Sequence, residues 1–184
     1  MANSSATGGY LTPATLSPPL ADLDLDAEFQ KLVVGVTGLA GQYVRPRWQP
    51  VAPKQPEPTV NWCAISVTRI TPDAGPVFLH DPTGNGSDHL IRHEDISVLA
   101  TFYGPQSQRY ALALRDGCML PQNNEGLNLV GISFVNSDTI LPVPELVNQQ
   151  WIRRYDIRLN FRRVVNRDYA ILNILSAPYA QTGN

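Results

Sequence analysis

Between Arg154 and Arg162 the chain alternates without a break: Tyr155, Ile157, Leu159 and Phe161 interleave with Arg154, Asp156, Arg158, Asn160 and Arg162. Side chains on a β-strand point to opposite faces in turn. This period of two therefore predicts a strand with one face in an apolar core and the other displaying three arginines and an aspartate. Asn166-Arg167-Asp168 is expected to turn the chain back into a last strand over 169–175. Arg153, Arg154, Arg158, Arg162, Arg163 and Arg167 lie here, out of fourteen basic residues in a chain of formal net charge −2. What so dense a set of arginines meets is the main functional question.

The rest of the chain supplies the partners of that strand. Residues 1–21 are poor in charge and rich in Ser, Gly and Pro, which predicts a flexible N-terminal arm. Leu25, Phe29, Leu32, Val33, Val36 and Leu39 then recur at steps of three and four, the signature of an amphipathic helix. Asp22, Asp24, Asp26 and Glu28 crowd its first turn, where carboxylates suit the helix dipole, and Gly38 and Gly41 end it. Five prolines in 44–58 rule out a helix or a central strand. A strand is expected over 60–70, with Cys63, Ile65 and Val67 on one face, and a half-buried one carries Ile96, Val98, Ala100 and Phe102. Asn85-Gly86 marks a hairpin. A second helix is expected over 105–120, burying Tyr110, Ala111, Leu114 and Cys118, and another strand over 128–135. The order of elements predicts an α+β fold: a largely antiparallel β-sheet flanked by two helices, with an extended N-terminal arm and a long hairpin. The expected organisation is an arm over 1–21, a single domain over 22–176 and a flexible tail over 177–184.

Several chemistries can be weighed from residue types. His80, Asp81, Asp88, His89, His93 and Glu94 cluster near the hairpin, but their spacing matches no standard metal motif, and a solvated hairpin collects polar residues anyway. Neither Cys63 nor Cys118 has a histidine in a recognisable motif, and there is no Gly-x-Ser-x-Gly. Glu94 and Asp95 are adjacent and so point to opposite faces of a strand. No catalytic residue, cofactor or metal is expected. No apolar run approaches the roughly 20 residues of a membrane span, and no charged-then-apolar start suggests export, so no membrane association is expected. For the arginine face three readings stand: a protein contact, a solvated face, or nucleic acid. Protein contact is favoured, because a single-strand binder interleaves exposed aromatics with its cations, and here the aromatics face the other way.

Taken together, "GGYLTP" in the arm, the helix ending "LVVGVTGLAGQYVRPRWQP", the strand "NWCAISV" and the closing "WIRRYDIRLNFRR" resemble the neck or tail-terminator proteins of tailed bacteriophages, over roughly residues 8–176. The resemblance implies an antiparallel sheet flanked by helices, no catalytic residues, and a hexameric ring at the head-proximal end of the tail. Such a ring stops growth of the tail tube and docks the connector or stopper of the head. In contractile tails it also meets the sheath protein, and DNA passes through without specific binding. A tube subunit, a connector adaptor or a nucleic-acid-binding module are the alternatives. On this view Arg154, Asp156, Arg158 and Arg162 are expected at a subunit interface, facing Asp22, Asp24, Asp26 and Glu28 of a neighbour.

Overall fold

The computed structural model describes residues 3–14, 19–49, 51, 53–147 and 149–174. The expected tail over 177–184 lies outside the described residues, as do parts of the arm. In chain order the elements are α1 (Asp22–Thr37), a 3-10 turn (Gly41–Tyr43), β1 (Val44–Pro46), β2 (Trp62–Pro72), β3 (Val77–Asp81) and β4 (Ser87–Tyr103). There follow α2 (Ser107–Gly117), α3 (Pro121–Leu129), β5 (Ile132–Ser137), β6 (Leu141–Pro142), β7 (Glu145–Val147), β8 (Gln150–Ile152) and β9 (Arg154–Tyr169). The main sheet runs β1-β2-β4-β9-β5, with β3 added to β4 and β6 to β9, while β7 and β8 pair separately. β1 lies parallel to β2, and β2–β4, β3–β4, β5–β9 and β6–β9 are antiparallel. The fold is α+β with a largely antiparallel sheet.

Two compact units make up the chain. The larger comprises Leu20–Asp73 and His93–Val164; the smaller is drawn from the described parts of 1–19, 74–92 and 165–184. In the larger unit α1 buries Leu25, Phe29, Leu32 and Val33, the stripe its periodicity announces. Gly38 closes the helix in the left-handed conformation (φ 72°), its N–H returning to the Val34 carbonyl. Cys63 and Ile65 of β2, Ile96, Val98, Ala100 and Phe102 of β4, and Ile157, Leu159 and Phe161 of β9 form the sheet's side of this core. Phe161 sits 4.8 Å from the Phe29 ring and 5.6 Å from that of Phe134. Burying a phenylalanine contributes about 1.5–3 kcal/mol, and each aromatic pair adds about 0.5–1.5 kcal/mol. Val44 is fully buried, yet β1 is an edge strand, where Pro46 costs no ladder bond that the sheet needs.

In the smaller unit β3 and the start of β4 form the expected hairpin around Asn85, with register running from Val77↔Ile91 to Asp81↔Ser87. The described part of the arm hydrogen-bonds to the end of β9: Ser5 N–H to the Ala170 carbonyl at 3.1 Å, and Ala14 N–H to that of Asp168 at 2.7 Å.

Three local expectations are corrected. The second helix is shorter than 105–120, and a third helix, α3, follows it, so the strand expected over 128–135 begins only at Ile132. Asn124 explains the break, since its side-chain amide donates to the carbonyls of Cys118 and Leu120 and ties the two helices together. Asn166-Arg167-Asp168 does not turn the chain: β9 runs through to Tyr169, and residues 170–174 are not a strand. Turn-forming side chains give way here to the ladder that flanks them.

Gly104 stands at the β4–α2 corner with φ +103°, and a Cβ there would lie 2.5 Å from the Val60 carbonyl oxygen and 2.9 Å from Asn61 Cα. Gly126, in the middle of α3, meets nothing within 4 Å. Chemical denaturation is expected to show Gly104→Ala losing roughly 2–4 kcal/mol of stability. Gly126→Ala should instead gain about 0.5–1 kcal/mol from helix propensity.

Candidate subunit interface

The faces of β9 are as its alternation requires, with Ile157, Leu159 and Phe161 buried and Arg158 and Arg162 exposed. What the strand does with its arginines is less expected. Arg154 holds Asp156 through two bonds, Nε to Oδ1 at 2.9 Å and Nη2 to Oδ2 at 2.7 Å, and reaches Glu145 with Nη1. These bonds, led by Asp156, hold its guanidinium above the usual arginine range. Its guanidinium carbon lies 5.7 Å from the centroid of Tyr103. Arg158 meets Asp138 at 3.5 Å. Arg162 pairs with Asp73 and, at 3.8 Å, with Asp95. Asn160 between them donates to Asn136 and Asp138 and accepts from the Ser97 hydroxyl. The expectation that this face awaits a neighbour's carboxylates is thus altered: Arg154, Arg158 and Arg162 all have carboxylates of their own chain.

Arg163, which the alternation left unassigned, makes the most enclosed of these ion pairs. It donates from Nε to Glu94 at 2.9 Å and from Nη1 to the Leu20 carbonyl at 2.6 Å, and the two charged side chains are only 10% and 15% exposed. The pair joins β9, β4 and the residues entering α1. No sequence rule picks Glu94 as its partner, because the two are 69 positions apart.

The acidic turn divides into two kinds of residue. Glu28 pairs with Lys31 at 2.6 Å. Asp26 is half-buried, and burial raises its carboxyl above the usual range against the opposing pull of the Val67 amide. Asp22 and Asp24 are exposed, and among the described residues neither has an ion-pair partner.

The polar residues of the smaller unit bond to one another. His80 Nδ1 lies 2.7 Å from Asp88 and Nε2 lies 2.8 Å from Asn173; His89 Nδ1 lies 2.6 Å from Asp168. The Asp88 bond and the Asp168 bond, respectively, raise the two imidazoles above their usual range. No cluster of potential metal ligands occurs among the described residues. Both cysteines are free and buried; burial pushes the Cys63 thiol up and the Cys118 thiol up to about 12, the opposite of an activated nucleophile.

A family model described as phage neck terminator protein matches residues 23–184. No curated protein matches the chain.

The enclosed and exposed pairs differ in what they contribute. Removing one partner of a buried pair leaves an uncompensated charge, so Glu94→Ala is expected to lose roughly 3 kcal/mol in urea denaturation. Asp138→Ala, which frees an Arg158 that is 50% exposed, should lose less than about 1 kcal/mol.

Proposed function

The chain belongs to the phage neck terminator protein family, and from that premise we propose that it closes into a ring, expected to be hexameric, at the head-proximal end of a phage tail. Members of the family are structural proteins of the neck. The ring ends growth of the tail tube and offers the head's connector or stopper a docking surface; where the tail is contractile, it also meets the last sheath layer. It does no chemistry, and DNA passes through it.

The observation that carries this proposal is the family match over residues 23–184. The electrostatics agree with it. A surface that tracks nucleic acid presents cations free to replace counterions on phosphates. Here the three arginines on the outer face of β9 are each matched by a carboxylate of the same chain, and the whole chain is slightly acidic. DNA can then slide past without sticking. Arg158 and Arg162 remain half-exposed and belong to the surface offered to other neck components.

Electron microscopy of the purified protein, alone and mixed with tail tubes, tests this directly. Closed rings, or a single cap at one end of tubes that then stop elongating, are expected. Open-ended tubes made of this protein would assign it to the tube instead, and a monomer that neither self-associates nor binds tubes would end the proposal.

A further inference from the structure

The face of the larger unit's sheet opposite the helices carries a small cluster of its own. Trp62 pairs with Tyr103 and Ala64 with Thr101 across β2 and β4, so all four side chains share that face. The Trp62 and Tyr103 rings stack 4.3 Å apart at 8°. Together with Ala64 they floor an open cleft of about 310 Å³, and Arg45 and Arg47 stand on its rim.

These two arginines differ from Arg154, Arg158, Arg162 and Arg163. Arg45 donates Nε to the Gln42 carbonyl and Nη1 to that of Lys54, both at 2.9 Å. Arg47 donates Nη2 to the Thr101 hydroxyl at 2.6 Å, and its buried Nε has no acceptor. Neither meets a carboxylate among the described residues. Glu145 lines the cleft too, but it is committed to Arg154. The cleft therefore combines an aromatic floor with two arginines that have no carboxylate partner among the described residues. Arginine's planar fork suits a carboxylate better than any other cation does.

The complementary surface is present on the same chain. Asp22 and Asp24 have no ion-pair partner among the described residues, and Leu23 between them is 62% exposed. Asp22-Leu23-Asp24 thus offers two negative charges flanking one apolar side chain, matching two arginines above an aromatic floor. We infer that the Arg45–Arg47 cleft receives the Asp22-Leu23-Asp24 turn of a second copy of this chain, resting on the ring assembly proposed above. The carboxylates meet the guanidinium groups, and Leu23 lies on Trp62 and Tyr103. α1 packs on one face of the sheet and the cleft opens on the other. Donor and acceptor are therefore different surfaces, giving a head-to-tail contact that repeats around a ring rather than stopping at a dimer.

The test uses the whole chain. Asp22→Lys with Asp24→Lys changes only exposed side chains, so circular dichroism should report an unchanged fold. The concentration for half-assembly, read by sedimentation velocity, should rise roughly a hundredfold. Adding Arg45→Glu and Arg47→Glu to the same chain should restore much of it. In a second measurement, copies carrying Asp24→Cys are mixed with copies carrying Gln55→Cys, beside the cleft. Oxidation should link the two variants only to each other, since Cys63 and Cys118 are buried. Rings that form as readily with the lysine substitutions as without them, or that give no such link, overturn the inference while leaving the ring intact. Lysine variants that still form rings but no longer cap tail tubes overturn it as well, and assign the acidic turn to the tube protein. If the parent protein forms no ring, alone or on tubes, the proposed function fails first and the inference falls with it.

Discussion

Everything else in the larger unit depends on burying one face of β4 and β9 beneath α1. Phe161 is the centre of that contact, touching Phe29 of the helix and Phe134 of β5. Because side chains on a strand alternate, placing Phe161, Leu159 and Ile157 inward forces Arg158 and Arg162 outward. A slip of one residue would put guanidinium groups into the core, so the register of β9 is set by its apolar face. The arginines are consequences of that register. Their carboxylates come from wherever the sheet brings them: Glu145 and Asp156 for Arg154, Asp138 for Arg158, Asp73 and Asp95 for Arg162.

How much of this could be read from the sequence follows from the range of each interaction. The α1 stripe and the alternation in β4 and β9 depend on near neighbours, and Leu25, Phe29, Leu32, Val33, Ile96, Val98, Ala100, Phe102, Ile157, Leu159 and Phe161 are all buried as their spacing requires. α3 was not legible. Pro121-Gln-Asn-Asn-Glu-Gly-Leu-Asn-Leu has no apolar stripe, and the helix buries only Asn124 and Leu127. Its start depends on Pro121 in the first turn and on Asn124 reaching back to Cys118 and Leu120. The continuation of β9 through Asn166-Arg167-Asp168 was hidden for a related reason: local turn chemistry argued one way and strand pairing decided the other. For the site, the residue types drew attention to β9 and to the acidic start of α1, whose place at a subunit contact is a proposal. The pairing itself was beyond reach, because Arg162 finds Asp73 across 89 positions and Arg163 finds Glu94 across 69.

Among the described residues Asp22 and Asp24 at the start of α1 have no ion-pair partner, nor do Arg45 and Arg47, which border an aromatic cleft on the opposite face of the sheet. Pairing Arg154, Arg158, Arg162 and Arg163 with carboxylates of the same chain commits them to holding its own sheet together. In the proposed ring, specificity between subunits then falls to charges elsewhere, where electrostatics sets register more than affinity. This division has a use in the proposed ring: the subunit would be stable before assembly and selective during it.

Arg154, Arg158, Arg162 and Arg163 are each engaged within a single subunit. Arginine side-chain NMR on the dissociated protein measures this most directly, at about 0.15 M and then about 1 M salt, where exposed charges are largely screened. Distinct, slowly exchanging Nε–H signals are expected for Arg154 and Arg163 at both salt concentrations, with Arg158 reverting toward the free-guanidinium position at the higher one. A single averaged signal for Arg154, Arg158, Arg162 and Arg163 that disperses only on assembly would contradict this, because the carboxylates would then belong to a neighbour.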